Sequence, residues 1–445
     1  MEPELLSILL LVGVLLLTVI GAPVAFSLAS LGIIFGLIGI GPNVLPLFIN
    51  RIYGLMNNVE LPAIPLFIFM GFMLESCGIA EKLFDSLHGL LGQIRGGLAL
   101  GTVLICTLFA ACTGVIAASI VTMGVIALPS MLKRGYSKEL ATGSILVGGT
   151  LGVIIPPSIV LILYGTVSSL SVAKIFSAAI IPGITLSILY SCYIVVLCWL
   201  KPYHGPAMKP KERSDLSLKK VIWEIWVYAT PTLVLIFSMM GAIVFGIVAI
   251  TEAAAVGAFG SILLAIFFGK FSWINFKKAA LVTLKSTCMV LFVIIGASMM
   301  SVVLIRLGGA KLLADFVSNV PSFIPSAVSN WYVIGMMMVI LFIMGMFIDW
   351  IGILYIVIPA FTPVVLSMGF DPVWFAVIVN TNLQMAFCTP PFALSLFFLK
   401  GVAPPEVTMF DIYKGIWPFI AVQAVGLIII IMFKDLSLWL PSLLF

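Results

Sequence analysis

Residues 148–157 read Gly148-Gly149-Thr150-Leu151-Gly152-Val153-Ile154-Ile155-Pro156-Pro157. They interrupt an apolar run, 139–166, that is otherwise long enough to cross a bilayer. Proline has no N–H to donate, and its ring clashes with the preceding helical turn. Glycine carries no Cβ and gives up helical order readily. The run therefore reads as a helix broken in its middle. Unpaired backbone groups at membrane depth are costly unless they line a cavity or a site. A second break lies between Asn380 and Pro391 in the run 373–399, and Pro390-Pro391 follow Pro156-Pro157 by 234 residues.

Composition agrees with a membrane setting. Of 445 residues, 62% are hydrophobic and 9% charged, against about 25% charged in a soluble domain. The apolar stretches run about 20 residues, the length that crosses a hydrocarbon core of ~30 Å. The expected class is an all-α integral membrane protein, a multi-pass resident of the bilayer. Met1-Glu2-Pro3-Glu4 lacks the basic n-region of a secretory signal, and no small-residue cleavage site follows. The first apolar run is therefore read as a retained span. The net charge of +5 reports loop topology rather than nucleic-acid binding. The seven cysteines form no CxxC pair and read as packing residues. His88 and His204 are far apart, and no HExxH, GxSxG or P-loop motif occurs. Metal hydrolase, serine hydrolase and ATP-driven pump all lose support. The chain is not expected to be an enzyme.

The runs organise into two halves. Residues 1–200 hold crossings 5–20, 24–40, 59–77 and 175–200, with the broken helix 139–166 before the last. Segment 78–95 is mixed and reads as interfacial. Residues 97–132 are apolar with Thr113-Gly114 near the middle, and basic residues flank both ends: Arg95 before, Lys133, Arg134 and Lys138 after. A re-entrant hairpin with its tip at Thr113-Gly114 puts these charges on one face. One long tilted helix is the alternative. Residues 201–222 form a basic linker, cytoplasmic by the positive-inside rule. Residues 223–445 repeat the plan: crossings 223–244, 249–269, 286–305 and 414–433, a hairpin 331–367 with its tip near Gly345 to Asp349, and the broken helix 373–399. An amphipathic piece covers 308–320.

The halves superpose in sequence. Pro129, Gly135 and Pro156-Pro157 match Pro363, Gly369 and Pro390-Pro391 at an offset of 234. Ala80, Leu83 and Asp85 match Ala310, Leu313 and Asp315 at an offset of 230. Five full crossings plus a hairpin per half turn the second half upside down. With 201–222 inside, Lys270, Lys277, Lys278 and Lys285 fall inside, and Glu2 and Glu4 outside. The first hairpin then enters from the cytoplasm and the second from the periplasm. Inverted repeats with discontinuous helices are a secondary-transporter architecture.

The breaks mark where substrate and ions are expected to bind. Half-helix N-termini attract anions, while carbonyls and half-helix C-termini suit a hard cation. The first centre offers Thr113, Gly114, Ser144, Gly149 and Thr150; the second offers Gly345, Asp349, Thr381, Asn382 and Thr389. Pro156, Pro157, Pro390 and Pro391 would border the substrate cavity. Such glycines and prolines also kink and pack helices without binding anything. Asp349, a carboxylate in an apolar run, is expensive there. It reads either as an ion ligand or as the acceptor that holds the hairpin tip. Glu252 and Glu60 border spans and read as interfacial.

Several of these motifs together resemble the large membrane subunit, or M subunit, of tripartite ATP-independent periplasmic (TRAP) transporters. They are Gly21-Ala22-Pro23-Val24-Ala25-Phe26, Ile64-Pro65-Leu66-Phe67, Gly149 to Gly152 with Ile155 to Ser158, Thr251 to Gly257, and Thr389-Pro390-Pro391. The resemblance runs almost end to end. It implies an elevator-type transporter in which hairpins and broken helices form the moving domain. It further implies import of an organic acid driven by Na+, with no other cofactor. The implied partners are a small four-helix membrane (Q-type) subunit and a periplasmic (P-type) substrate-binding protein. The setting would be a bacterial or archaeal inner membrane. No span is spare for a fused small subunit, so that partner is expected to be separate. One departure stands at the first tip: many members carry Gly-Ser-Ser, and here Gly114 is followed by Val115-Ile116. Asp349-Trp350-Ile351 and Gly401 to Val407 resemble a branch associated with 2-oxo acids, lactate and similar carboxylates. The competing readings are a stand-alone ion-coupled carboxylate transporter or exporter of the same design, and a channel.

Overall fold

The computed structural model describes residues 2–113, 116–208, 218–321, 324–390 and 393–445. The hairpin-tip residues Gly114 and Val115, residues 209–217 of the basic linker and Pro391 lie outside the described residues. Among those described, all regular structure is helical. That follows from the composition: a chain that cannot use water to satisfy its backbone must do so within each segment. Among the described residues, eight helices are long and apolar enough to cross a membrane. A ninth span results if Ala63–Ser76 and Ile79–Leu91, bent by 55° at their junction, count as one.

The apolar runs become helices close to where they are expected. The segment 97–132 divides into Gly97–Thr113 and Ile116–Lys133, and these two helices pack against each other. They form a hairpin rather than one long tilted helix. The second hairpin comprises Ser326–Gly345 and Trp350–Ser367. Each broken segment is a longer helix, a non-helical break and a short helix: Lys138–Thr150 with Ile159–Ser168, and Pro372–Ala386 with Leu394–Val402. A single 3-10 turn, Leu151–Val153, continues the first break.

Local chemistry sets the joints, and it recurs at the spacing of the motifs. Gly78 and Gly308, 230 residues apart, adopt left-handed φ values of 66° and 79° just before short amphipathic helices. Gly135 and Gly369, 234 apart, do the same at 78° and 75° between hairpin and broken segment. A Cβ would be strained at that φ, which is why glycine stands there. Ser137 and Asp371, again 234 apart, cap the helices that follow by accepting backbone N–H bonds.

Three elements differ from expectation. The third crossing of the second half is Trp273–Arg306, 34 residues long, rather than 286–305. At 1.5 Å per residue it reaches about 51 Å, beyond a hydrocarbon core of ~30 Å. Its first turns carry Lys277, Lys278 and Lys285, outside the apolar run 286–305. Two short helices had no counterpart in the sequence reading: Val44–Met56 and Asp435–Leu444. The core lies where hairpins and broken segments meet, and Lys138–Thr150 buries every residue from Leu140 to Thr150.

Candidate functional site

The first break is built by close packing. Gly148 and Gly149 let Lys138–Thr150 slide between the two arms of the first hairpin. A Cβ on Gly148 would stand 2.7 Å from Cys106 Cβ, and one on Gly149 would stand 2.5 Å from Ile120 Cγ1. The hydroxyls turn back onto their own segment. Ser144 donates to the Ala141 carbonyl at 3.0 Å, Thr150 to Val147 at 3.1 Å and Ser158 to Val153 at 2.7 Å. Pro156 and Pro157 are buried in the break. Ser144 is also fully buried, but it sits nearly two turns before the break. The Thr113 side chain, Gly114 and Pro391 lie outside the described residues.

The second break carries carboxamides. Asn380, Asn382 and Gln384 are fully buried on Pro372–Ala386. Asn382 donates to the Met338 carbonyl of the second hairpin at 2.6 Å. Asn380 donates back to Ala376 at 2.7 Å. Gln423, on the last long helix, donates to the Thr381 carbonyl at 3.2 Å. All four amide oxygens, Asn380 Oδ1, Asn382 Oδ1, Gln384 Oε1 and Gln423 Oε1, are buried with no donor. The Thr381 and Thr389 hydroxyls donate to Val377 and Met385. Gly345 brings the hairpin onto this segment: a Cβ there would lie 2.4 Å from Ala386 Cβ. Asp349 caps Trp350–Ser367, its carboxylate accepting from the Ile351 N–H at 3.2 Å. That is the tip-holding role. Pro390 is partly buried beside Thr389.

The two breaks meet. Gln384 Nε2 donates to Thr150 Oγ1 at 3.4 Å, and Cys388 Sγ lies 3.8 Å from the same hydroxyl. Gln384 stands 234 residues after Thr150, so the contact joins matching positions of the two segments. Ser395 extends the polar chain, donating to the Phe387 carbonyl at 2.6 Å and lying 3.7 Å from Cys388 Sγ. Sequence reasoning placed Thr150 here but missed Gln384, Asn380, Cys388, Ser395 and Gln423. The offset of 234 applied to Thr150 would have found Gln384. Nothing in the sequence pairs Gln423 with Thr381.

Carboxylates outside the breaks also take hydrogen bonds. Glu60 accepts from the Thr166 hydroxyl at 2.9 Å, which ties it to the first broken segment rather than to water alone. Glu75 accepts from Thr122 on the first hairpin. Glu252 accepts from the Ala249 N–H at 2.9 Å, as an interfacial helix start requires.

A helical membrane chain whose two interrupted helices meet through buried polar side chains is built as a permease. The family model of the tripartite ATP-independent periplasmic transporter DctM component matches residues 11–436. The chain belongs to that family, whose members are transport permeases and not enzymes. It is 31% identical to the C4-dicarboxylate TRAP transporter large permease protein DctM of Pseudomonas aeruginosa, with 88% of each chain covered. It is 29% identical to the protein of the same description from Vibrio cholerae, covering 98% of this chain and 97% of that one. The ectoine TRAP transporter large permease protein TeaC of Halomonas elongata is 28% identical over 98% of both. Among solved structures, the YdaH transporter of Alcanivorax borkumensis shares the fold, with a TM-score of 0.59 at 14% identity and 98% of both chains covered.

Proposed function

We propose that this chain is the large permease subunit of a sodium-coupled importer of a small organic acid. The observation that carries the reading is the set of buried amide oxygens at the second break. Each unsatisfied buried acceptor costs about 1–3 kcal/mol, and oxygen donors suit a hard cation. Asn382 reaches the second hairpin at the Met338 carbonyl, and Gln384 reaches Thr150 of the first broken segment. Na+ is a transported ion here, and Asn382, Gln384 and the Thr381 to Thr389 segment would hold it. The organic anion would lie against the break, bordered by Pro156, Pro157 and the Pro390 region. The names of the relatives support the substrate class: C4-dicarboxylate for two and ectoine for a third.

The two halves form inverted repeats in this reading, with the basic linker inside and both ends of the chain outside. The hairpins and broken segments move as one elevator body against the remaining helices. The partners are a small membrane subunit and a periplasmic binding protein that delivers the substrate at the inner membrane. Reconstitution tests the reading. Vesicles holding the membrane subunits take up a labelled organic acid in the presence of the binding protein and a sodium gradient. Uptake is expected to vanish when potassium replaces sodium on both sides. Equal uptake in potassium, or full uptake by this chain alone, would overturn it.

A further inference from the structure

We infer that Arg51 and Arg306 form a site for the phosphate of an anionic phospholipid. The two arginines come from different elements: Arg51 from Val44–Met56 and Arg306 from the last residue of Trp273–Arg306. They line one cleft of about 250 Å³ with Leu47, Asn50, Val302 and Ile305. Among the described residues, no carboxylate lines that cleft. Among the described residues the ion pair within 4.0 Å is Lys138–Asp411, so neither arginine has its charge paired directly. Arg306 also borders a neighbouring cleft with Glu2, Glu4, Lys311 and Asp315. That cleft sets three carboxylates against two cations, Arg306 and Lys311.

The surroundings select an amphiphile. Val44–Met56 exposes Leu45, Ile49, Tyr53 and Met56 in one helical stripe while burying Val44 and Phe48. An amphipathic helix of this kind lies at headgroup depth, its apolar face in the acyl boundary. Arginine forks bind phosphate oxygens in pairs, and here two arginines line one cleft. Leu47, Val302 and Ile305 complete the cleft with apolar wall suited to a glycerol backbone and the start of an acyl chain. In the orientation proposed above, this end faces outside, where arginine is scarce in membrane proteins. Only the leaflet rests on that orientation; the site itself does not. A lipid bound here would sit beside the second hairpin, because Ser301, one turn before Ile305, donates to the Tyr355 carbonyl at 2.7 Å.

Native mass spectrometry of the full chain, purified with bacterial lipids, tests the site. Retained phosphatidylglycerol is expected on the wild type. The Arg51→Gln/Arg306→Gln double variant should retain about tenfold less. Added phosphatidylglycerol should raise the thermal midpoint of the wild type, and phosphatidylcholine should not. Unchanged retention in the double variant would overturn the inference. So would an equal rise from inorganic phosphate without lipid, which would make the site one for a soluble anion. If the glutamine variant fails to fold, Arg51→Lys/Arg306→Lys keeps the charge without the forks and should retain an intermediate amount; wild-type retention there would also count against the site. Sodium dependence of uptake is a separate readout, so failure here leaves the transport reading standing.

Discussion

The two breaks occupy matching places in the chain and carry different chemistry. At the first, Ser144, Thr150 and Ser158 donate to carbonyls of their own segment, and Gly148 and Gly149 admit hairpin side chains to contact distance. At the second, Asn380, Asn382 and Gln384 present oxygens with no donor. The first break is filled by protein atoms; the second keeps unspent hydrogen-bonding capacity. A duplicated backbone plan therefore does not duplicate its ligands. The difference matches the first hairpin tip, where Val115-Ile116 follow Gly114 and supply no hydroxyl.

The largest expected effect probes packing. Gly345→Val at the second hairpin places a Cβ where Ala386 Cβ stands 2.4 Å away, and that atom is fixed to its backbone. The helices must part, at about 1–3 kcal/mol or more. Gly149→Ala meets Ile120 Cγ1, part of a side chain that can turn, although the Ile120 N lies 3.2 Å away. Its cost should be smaller. Thermal unfolding midpoints in one detergent check the order; a larger drop for Gly149→Ala would reverse the ranking of the two contacts.

Next comes the hairpin cap. Asp349→Ala removes the acceptor for the Ile351 N–H and should cost about 0.5–2 kcal/mol. Asp349→Asn can still cap and should stay close to wild type in stability. If the carboxylate also contacts the cation, Asn will raise the sodium concentration needed for half-maximal uptake. An unchanged sodium dependence assigns Asp349 to the cap alone.

The smallest effect lies outside the membrane. His204 sits beside Ser137, its Nδ1 2.7 Å from Ser137 Oγ, while its carbonyl accepts from the Ser137 N–H at 2.9 Å. Burial lowers its pKa, with Glu139 opposing and Lys201 adding to the shift. A histidine whose folded pKa is depressed favours folding fully above the unfolded value of about 6.5, and that contribution is lost as pH falls toward the folded value. Stability should therefore dip modestly from pH 7 to pH 5. The dip should shrink in His204→Asn; an identical pH profile in that variant would remove His204 from the account.

Much of this architecture was legible. Proline and glycine announce their backbone effects locally, so the breaks, the hinge glycines Gly135 and Gly369 and the offsets could be read from spacing alone. Long apolar runs fix helices for the same reason. What stayed hidden depends on length or on distance in the chain. Val44–Met56 is short and carries Pro46 and Arg51, so its run looks like loop. Trp273–Arg306 extends past the bilayer, and its lysines disguised its first turns. At the site, Asn382 and Thr150 stood out because they interrupt apolar sequence. The Gln423 contact with Thr381 arises only from tertiary packing across 42 residues.

The central claim is that the coupling cation is held by the second break. Uptake measured against sodium concentration in Gln384→Leu and Thr150→Val tests it most directly. Both variants break the 3.4 Å bond between the segments, but only Gln384→Leu removes a free buried oxygen. A raised sodium requirement in Gln384→Leu with a near-normal one in Thr150→Val is the expected result. Equal shifts in both, or none in a well-folded Gln384→Leu, would contradict it.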